Sequence, residues 1–265
     1  MTFNDQGGHD DEREVALDAW RDAGIAGETV AWDAPDVDWS RFDAAVVRSV
    51  WDYVDRRAEF LAWAHEAGAR TKLLNPAAVL ERNTDKIYLR DLGLPIVPTH
   101  WSSSGIPTWN EYVVKPTISS GARDTIRTTD RARAVAHAEA LEAAGRAPMV
   151  QPYLDMVESE GETSLIYFNR RFSHAVRRTA MLVPGMTLDD NARADLRDPA
   201  PDQFELAERV LATVPEDLLY ARVDLVRLAD GTPALIELEL TEPYLYLHRE
   251  PAAAKNLATA LRELA

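Results

Sequence analysis

The chain has 265 residues, room for roughly two domains, and 46% of them are apolar, which supports a proper core. A formal net charge of -15 and a pI near 4.8 exclude a broad basic face for nucleic acid or an anionic membrane, while local phosphate pockets stay open. The absence of cysteine excludes disulfides, a thiolate nucleophile and Cys-based zinc sites, and fits a reducing cytoplasm.

Residues 1–12 have neither a basic start nor an apolar segment, so no signal peptide is expected, and no apolar run approaches membrane-spanning length. A helix is predicted over 11–23, with Val15, Leu17, Ala19 and Trp20 in helical rhythm and Gly24 closing it. Strands at 28–32 and 42–49, a helix at 56–67 stopped by Gly68 and a strand at 72–75 make a small α/β unit. Ligands of such units gather at the carboxyl ends of strands. That end carries Arg48, Ser49, Trp51, Asp52 and Tyr53, able to hold a small zwitterion. The alternative is a packed turn with the aromatics in the core and Arg48 paired to Asp52.

Residues 76–93 read as two short helices, with Asn83 or Thr84 capping the second. Lys86 falls in its first turn, where a cation gains nothing from the helix dipole. A phosphate partner explains it, as does plain solvation. After an extended 94–100, a strand at 111–116 brings Lys115 to its end, followed by a loop at 117–125. There Ser119, Ser120 and Gly121 are small enough for backbone N–H groups to approach a phosphate.

A helix over 131–144 leads to a strand at 148–154 that breaks at Pro152. Around Gln151, Tyr153 and Leu154 this leaves backbone groups free to meet a purine edge. A hairpin runs from 161 to 179 across Asn169 and Arg170. Residues 181–201 read as a mobile loop, and a helix follows at 204–213. Strands at 219–228 and 234–240, joined at Asp230-Gly231, form a second hairpin, and a helix over 251–264 ends the chain.

The last hairpin carries the sharpest chemistry. Glu237 and Glu239 share one face by strand alternation, and Asp224, with Arg222 two residues before it, supplies a third carboxylate from across the turn. Such hard oxygens suit Mg2+, which takes one or two carboxylates and fills its remaining positions with water and phosphate oxygens. A solvated outer face of an edge hairpin is the bland alternative.

In this order the motifs resemble the ATP-grasp superfamily over most of the chain. Asn83-Thr-Asp-Lys86 and Val113-Val-Lys-Pro116 are similar to its two lysine segments. Gln151-Pro-Tyr-Leu154 is similar to its adenine hinge, and Asp224 with Glu237-Leu-Glu239 to its magnesium ligands. Arg48-Ser-Val-Trp-Asp-Tyr53 and Glu-Leu-Glu-Leu-Thr-Glu-Pro look closest to the glutathione-synthetase-like group, which includes the cycloserine-forming ligase and amino-acid ligases of natural-product pathways.

The resemblance implies an α/β and α+β ATP-grasp fold behind a reduced, Rossmann-like N-terminal domain. The expected limits are 1–75, 76–150 and 151–265. It also implies an ATP- and Mg2+-dependent, ADP-forming carboxylate–amine ligase, with a ring-closing ligase or a non-catalytic nucleotide-binding module as alternatives. Its substrate would be a small amino acid or derivative activated as an acyl phosphate, and a homodimer is compatible with it.

Lys86 and Lys115 would neutralise phosphates and Arg222 the transferring group. Arg177 or Arg178 would hold the substrate carboxylate or acyl phosphate; cross-strand pairing on a solvated face is their alternative. Glu162 would meet the ribose, with Glu158 and Glu160 as rivals. Three departures stand out: the superfamily usually has Asn where Glu239 stands, the phosphate loop is poorer in glycine than many, and Met1 to Phe3 is too short for the usual first strand.

Overall fold

The computed structural model describes residues 10–179, 182 and 194–265. The N-terminal unit pairs two short parallel strands, β1 (Ala44–Val46) and β2 (Lys72–Leu74). Helix α2 (Arg57–Arg70) buries Phe60, Trp63, Ala64 and Ala67, the i, i+3, i+4, i+7 stripe of an amphipathic helix. That stripe meets an aromatic core of Trp32, Trp39 and Tyr53, with Phe60 stacked on Trp63 at 5.5 Å. Helix α1 (Glu12–Asp22) belongs elsewhere: its Ala16 and Trp20 join Leu257 and Leu261 of the C-terminal α7 (Ala253–Leu264).

Between these parts, α3 (Ala77–Asn83) and a 3-10 turn at Lys86–Asp91 lead to a three-stranded antiparallel sheet. Its order is β4 (Ile126–Thr128), β3 (Tyr112–Pro116), β5 (Pro148–Pro152), backed by α4 (Arg131–Ala143). The short α5 (Met156–Ser159) then enters a five-stranded antiparallel sheet of order β10-β9-β6-β7-β8. Its strands are β6 (Glu162–Phe168), β7 (Arg171–Arg178), β8 (Ala194–Leu196), β9 (Tyr220–Arg227) and β10 (Pro233–Glu239). Alternate residues bury on opposite faces: Leu165 and Tyr167 pack with Leu206 and Val210 of α6 (Pro201–Leu211), whereas Ile166 and Phe168 pack with α7.

β10 is an edge strand, and its free edge is sealed mainly by side chains, a device that blunts unwanted strand pairing. Tyr88 Oη donates to Leu238 O and accepts from Leu238 N, both at 2.9 Å. Asn83 likewise spans Leu238 O and Leu240 N, each at 2.8 Å. Upstream, Pro95 and Val97 bond both backbone groups of Leu235. Asn75, buried with φ 59, donates to Tyr220 O and Leu240 O and accepts from Leu219 N. That one amide thus ties the end of β2 to the start of β9 and to the residue that follows β10.

Several expectations are corrected. Residues 28–32 form no strand; only Val30 takes bridge geometry. Helix α2 runs through Gly68 to Arg70, since one helical glycine costs only about 1 kcal/mol. The 3-10 turn is capped by Asp85, which accepts from Ile87 N, leaving Asn83 free for β10. The short β4, β8 and α5 escaped periodicity altogether. Residues 180, 181 and 183–193, most of the expected loop, lie outside the described residues, as do Met1 to Phe3; residues 194–196 pair with β7. No helix among the described residues is long and apolar enough to cross a membrane.

His174 of β7, 4% exposed, gives the fold a pH dependence. Its Nε2 donates to Leu245 O at 3.0 Å, and burial pulls its pKa below 6.5 against the opposing effects of that bond and of Glu250. The unfolded chain therefore binds this proton more readily, so stability is complete above about 6.5 and falls as pH drops towards the folded pKa. His174→Gln, which keeps an amide donor, is expected to lose melting temperature less steeply than the parent between pH 7.5 and 5; equal slopes in scanning calorimetry would refute this.

Candidate active site

The registers of β6, β9 and β10 decide which side chains meet. Asp224 sits opposite Ser164 on one side and Glu237 on the other, and Arg222 sits opposite Glu239. A β-bulge between Leu235 and Glu237 absorbs Ile236 and re-aims the strand just before the acidic pair.

Asp224 is 0% exposed. Arg222 grips it through Nε at 3.0 Å and Nη2 at 2.9 Å, and Arg178 Nη2 stands 2.7 Å from its Oδ2. Arg178 reaches Glu162 Oε2 at 2.6 Å as well. Arg222 also bonds Glu239 and donates to Tyr244 O at 3.1 Å. Lys86 Nζ lies 3.1 Å from Glu237 Oε1 and donates to Ser119 O at 2.7 Å. A cation misplaced for its own turn thus finds its partners on β10 and the 117–125 loop.

Burial opposes every charge here, and the outcome depends on who answers it. For Asp224, Arg178 and Arg222 outweigh burial and hold the carboxyl below its ordinary value. Lys86 and Lys115 do the same for Glu237. Glu239 is pushed up to about 7 by burial, which Arg222 only partly offsets while Glu237 and Asp224 add to it. Burial likewise raises Glu162. Lys115 is pulled down by burial and by Lys86; among the described residues it has no hydrogen-bond or ion-pair partner, which leaves its ammonium available to a phosphate.

Among the described residues no three carboxylate or imidazole groups are arranged to ligate one metal. Asp224 and Glu239 instead face guanidinium groups, and Glu237 faces Lys86. Their donor chemistry nevertheless fits Mg2+: hard oxygens on paired strands, one of them, Glu239, held up near neutrality by burial that Arg222 only partly offsets.

The remaining candidates divide. Ser119 is buried beside Lys86, whereas Ser120 is half-buried and Gly121, at φ 60, is exposed. At the hinge, Gln151 donates to Thr99 Oγ1 at 2.8 Å, and Leu154 packs with Val97, Val157 and Ile236. Tyr153 lies under Arg127 at 3.4 Å and donates to Glu158 at 2.9 Å. Glu158 therefore stands at the hinge, Glu162 in the ionic cluster and Glu160 with Arg197.

Arg177 is not in the cluster. Alternation turns it to the opposite face from Arg178, where it donates to Ser159 O and Glu160 O, both at 2.8 Å.

The Arg48 corner is also corrected. Arg48, 4% exposed, is spent on Glu12 at 2.9 Å and on Pro243 O. Ser49 bonds Asp10, Asp52 accepts from Trp32 Nε1 at 3.1 Å, and Tyr53 is in the aromatic core. Trp51 alone is half-buried without a role in these bonds. The corner is a packed turn in which Arg48 takes Glu12 rather than Asp52, and of its two aromatics only Tyr53 joins the aromatic core.

Sequence reasoning missed Glu12, Tyr88 and Glu242. Glu12 and Tyr88 make contacts too distant in sequence to foresee; Glu242 ends the acidic run after Glu239, a visible signal left unassigned.

Against known proteins, residues 1–75 match the family described as the D-cycloserine synthetase DcsG N-terminal domain. The chain is 37% identical over 275 residues to the cycloserine biosynthesis protein DcsG of Streptomyces lavendulae, covering 93% of this chain and 91% of that one. A crystal structure of D-cycloserine synthetase DcsG superposes with a TM-score of 0.85 at 36% identity, over 96% of this chain and 95% of that one. The ATP-grasp ligase PsnB, solved with a variant of its minimal precursor, Mg and ADP, gives 0.63 at 18% identity over 97% and 95%.

Arg48→Met leaves Glu12 buried without its partner, and breaking such a pair costs about 3–5 kcal/mol. The expected result is a clear fall in melting temperature. An unchanged melting temperature with a raised KM for the amino acid would return Arg48 to the substrate.

Proposed function

We propose, since this chain belongs to the ATP-grasp ligase family of the cycloserine biosynthesis protein DcsG, that it joins the carboxyl and a nitrogen of a small amino-acid derivative at the expense of ATP. The observation that carries the reading is buried Asp224, held between Arg178 and Arg222, beside Glu237 held by Lys86. The relationship to a cycloserine synthetase favours both groups lying in one molecule, so that the product is a ring. Cutting the ring amide of cycloserine on paper gives an α-amino acid with a side-chain hydroxylamine, β-aminooxyalanine, a chemically complete starting point.

A carboxylate is a poor electrophile, and activation solves this. Its oxygen attacks the γ-phosphorus, the bond to the β–γ bridging oxygen breaks, and ADP leaves. The nitrogen lone pair then attacks the acyl carbonyl, phosphate departs with the bonding electrons, and the nitrogen loses its proton. Catalysis of the first step is mostly positioning and charge neutralisation.

In this reading Lys86 and Lys115 neutralise the phosphates, while Arg222 and Arg178 meet the charge developing on the transferring group. Ser119, Ser120 and Gly121 cover the phosphates, and Gln151, Tyr153 and Leu154 border the adenine. Glu158 at the hinge or Glu162 takes the ribose. Asp224, Glu237 and Glu239 would hold Mg2+, which when bound supplies Lewis-acid neutralisation of the phosphate oxygens. The reading divides the chain into a substrate-side unit, 1–75, and two units, 76–150 and 151–265, that enclose the nucleotide.

Asp224→Asn and Glu237→Gln are each expected to lower ADP release by about a hundredfold or more with the circular-dichroism spectrum retained; near-parental rates at saturating magnesium would defeat the assignment. Hydroxylamine added to a turning-over mixture is expected to yield a hydroxamate from the activated carboxyl. Its absence with every substrate that supports ADP release would remove the acyl phosphate.

A further inference from the structure

Just past Glu239 the chain leaves β10 as Thr241-Glu242-Pro243, and both neighbours of Glu242 are fixed. Thr241 O accepts from Tyr220 Oη at 2.8 Å, Thr241 Oγ1 donates to Asn83 Oδ1 at 3.1 Å, and Pro243 O accepts from Arg48. The Glu242 carboxylate itself is half-buried and has no hydrogen bond or ion pair among the described residues. A rigid backbone that presents an uncommitted side chain is how a recognition group is preorganised.

Positive charge is close by but already engaged. Arg48, Arg222 and Lys86 are near enough to act on Glu242. Arg48 is bonded to Glu12, Arg222 to Asp224 and Glu239, and Lys86 to Glu237. Burial, with Glu239 adding to it, pushes the Glu242 carboxyl up to about 8. A half-buried carboxylate short of positive charge is stabilised by a cation from outside. Of the two reactants only the amino acid carries one, since ATP is an anion.

We propose that Glu242 receives the ammonium group of the amino-acid substrate and so is the residue that selects an amino acid over the corresponding acid without that group. The assignment rests on the ligase reading above. Tyr53 and Tyr220, whose phenols also feel Glu242, wall the same corner. The substrate carboxyl then reaches towards Arg222 while its ammonium is held at the end of β10.

The test compares ADP release from β-aminooxyalanine and from 3-aminooxypropanoate, the same molecule without the ammonium, within a panel of amino acids and their ureido, hydroxylamine and amide derivatives. The parent enzyme is expected to prefer the amino member of each pair by about 10- to 100-fold in kcat/KM, the worth of one charged hydrogen bond. Glu242→Gln is expected to lose most of that preference through the KM of the amino acid, with the KM of ATP and the magnesium requirement unchanged; Glu242→Asp should recover part of it. A loss in kcat alone, a shifted magnesium requirement, or a retained preference in Glu242→Gln overturns the assignment. ADP release indifferent to the ammonium overturns it while leaving the ligase reading intact, whereas ADP release from no member of the panel sinks both.

Discussion

Asp224 has no access to water, yet it stays ionised because two guanidinium groups reach it from different strands. Arg222 comes from its own strand and Arg178 from two strands away across β6. Holding one carboxylate between them fixes the spacing of β7, β6 and β9, and Arg222 Nη2 is shared between Asp224 and Glu239. Such a cluster is costly to desolvate, and replacing it with apolar side chains often stabilises a fold. Its presence in the core of an ATP-dependent ligase therefore reflects chemistry more than stability. In the reading proposed above, the charges are kept where a triphosphate can use them.

The second constraint is the sealed edge of β10. An edge strand bearing acidic residues would be free to twist, and the spacing of Glu237 and Glu239 would drift with it. Tyr88, Asn83 and Asn75 hold its backbone from outside, and the Pro95 to Val97 segment holds it from below the bulge. Two of these residues, Asn83 and Tyr88, flank Lys86 in sequence. The lysine and the carboxylate it meets are thus positioned by the same short stretch of chain.

Much of this was legible in the sequence because it depends on short-range periodicity. Strand alternation put Glu237 and Glu239 on one face, and the order of lysine segment, hinge and acidic hairpin indicated the ATP-grasp fold that the relatives share. Applied to β7, the same alternation separates Arg177 from Arg178, but only once one of them is known to face inwards. What was not legible depends on contacts between distant residues. Arg48 looked like a substrate ligand because its partner, Glu12, is on a helix that packs against the other end of the chain. Asn83 looked like a helix cap because the strand it serves lies far downstream. β4 and β8, three residues each, are too short for any period to register.

Glu12 accepts the backbone N–H groups of Leu245 and Leu247, each at 2.7 Å, across sequence separations of 233 and 235 residues. Between them Tyr246 is held at φ 55, a conformation a bulky residue seldom adopts unaided. One carboxylate thus answers a guanidinium and two amides at once, so the turn beyond β10 and the seating of α1 against α7 are set together and would be lost together.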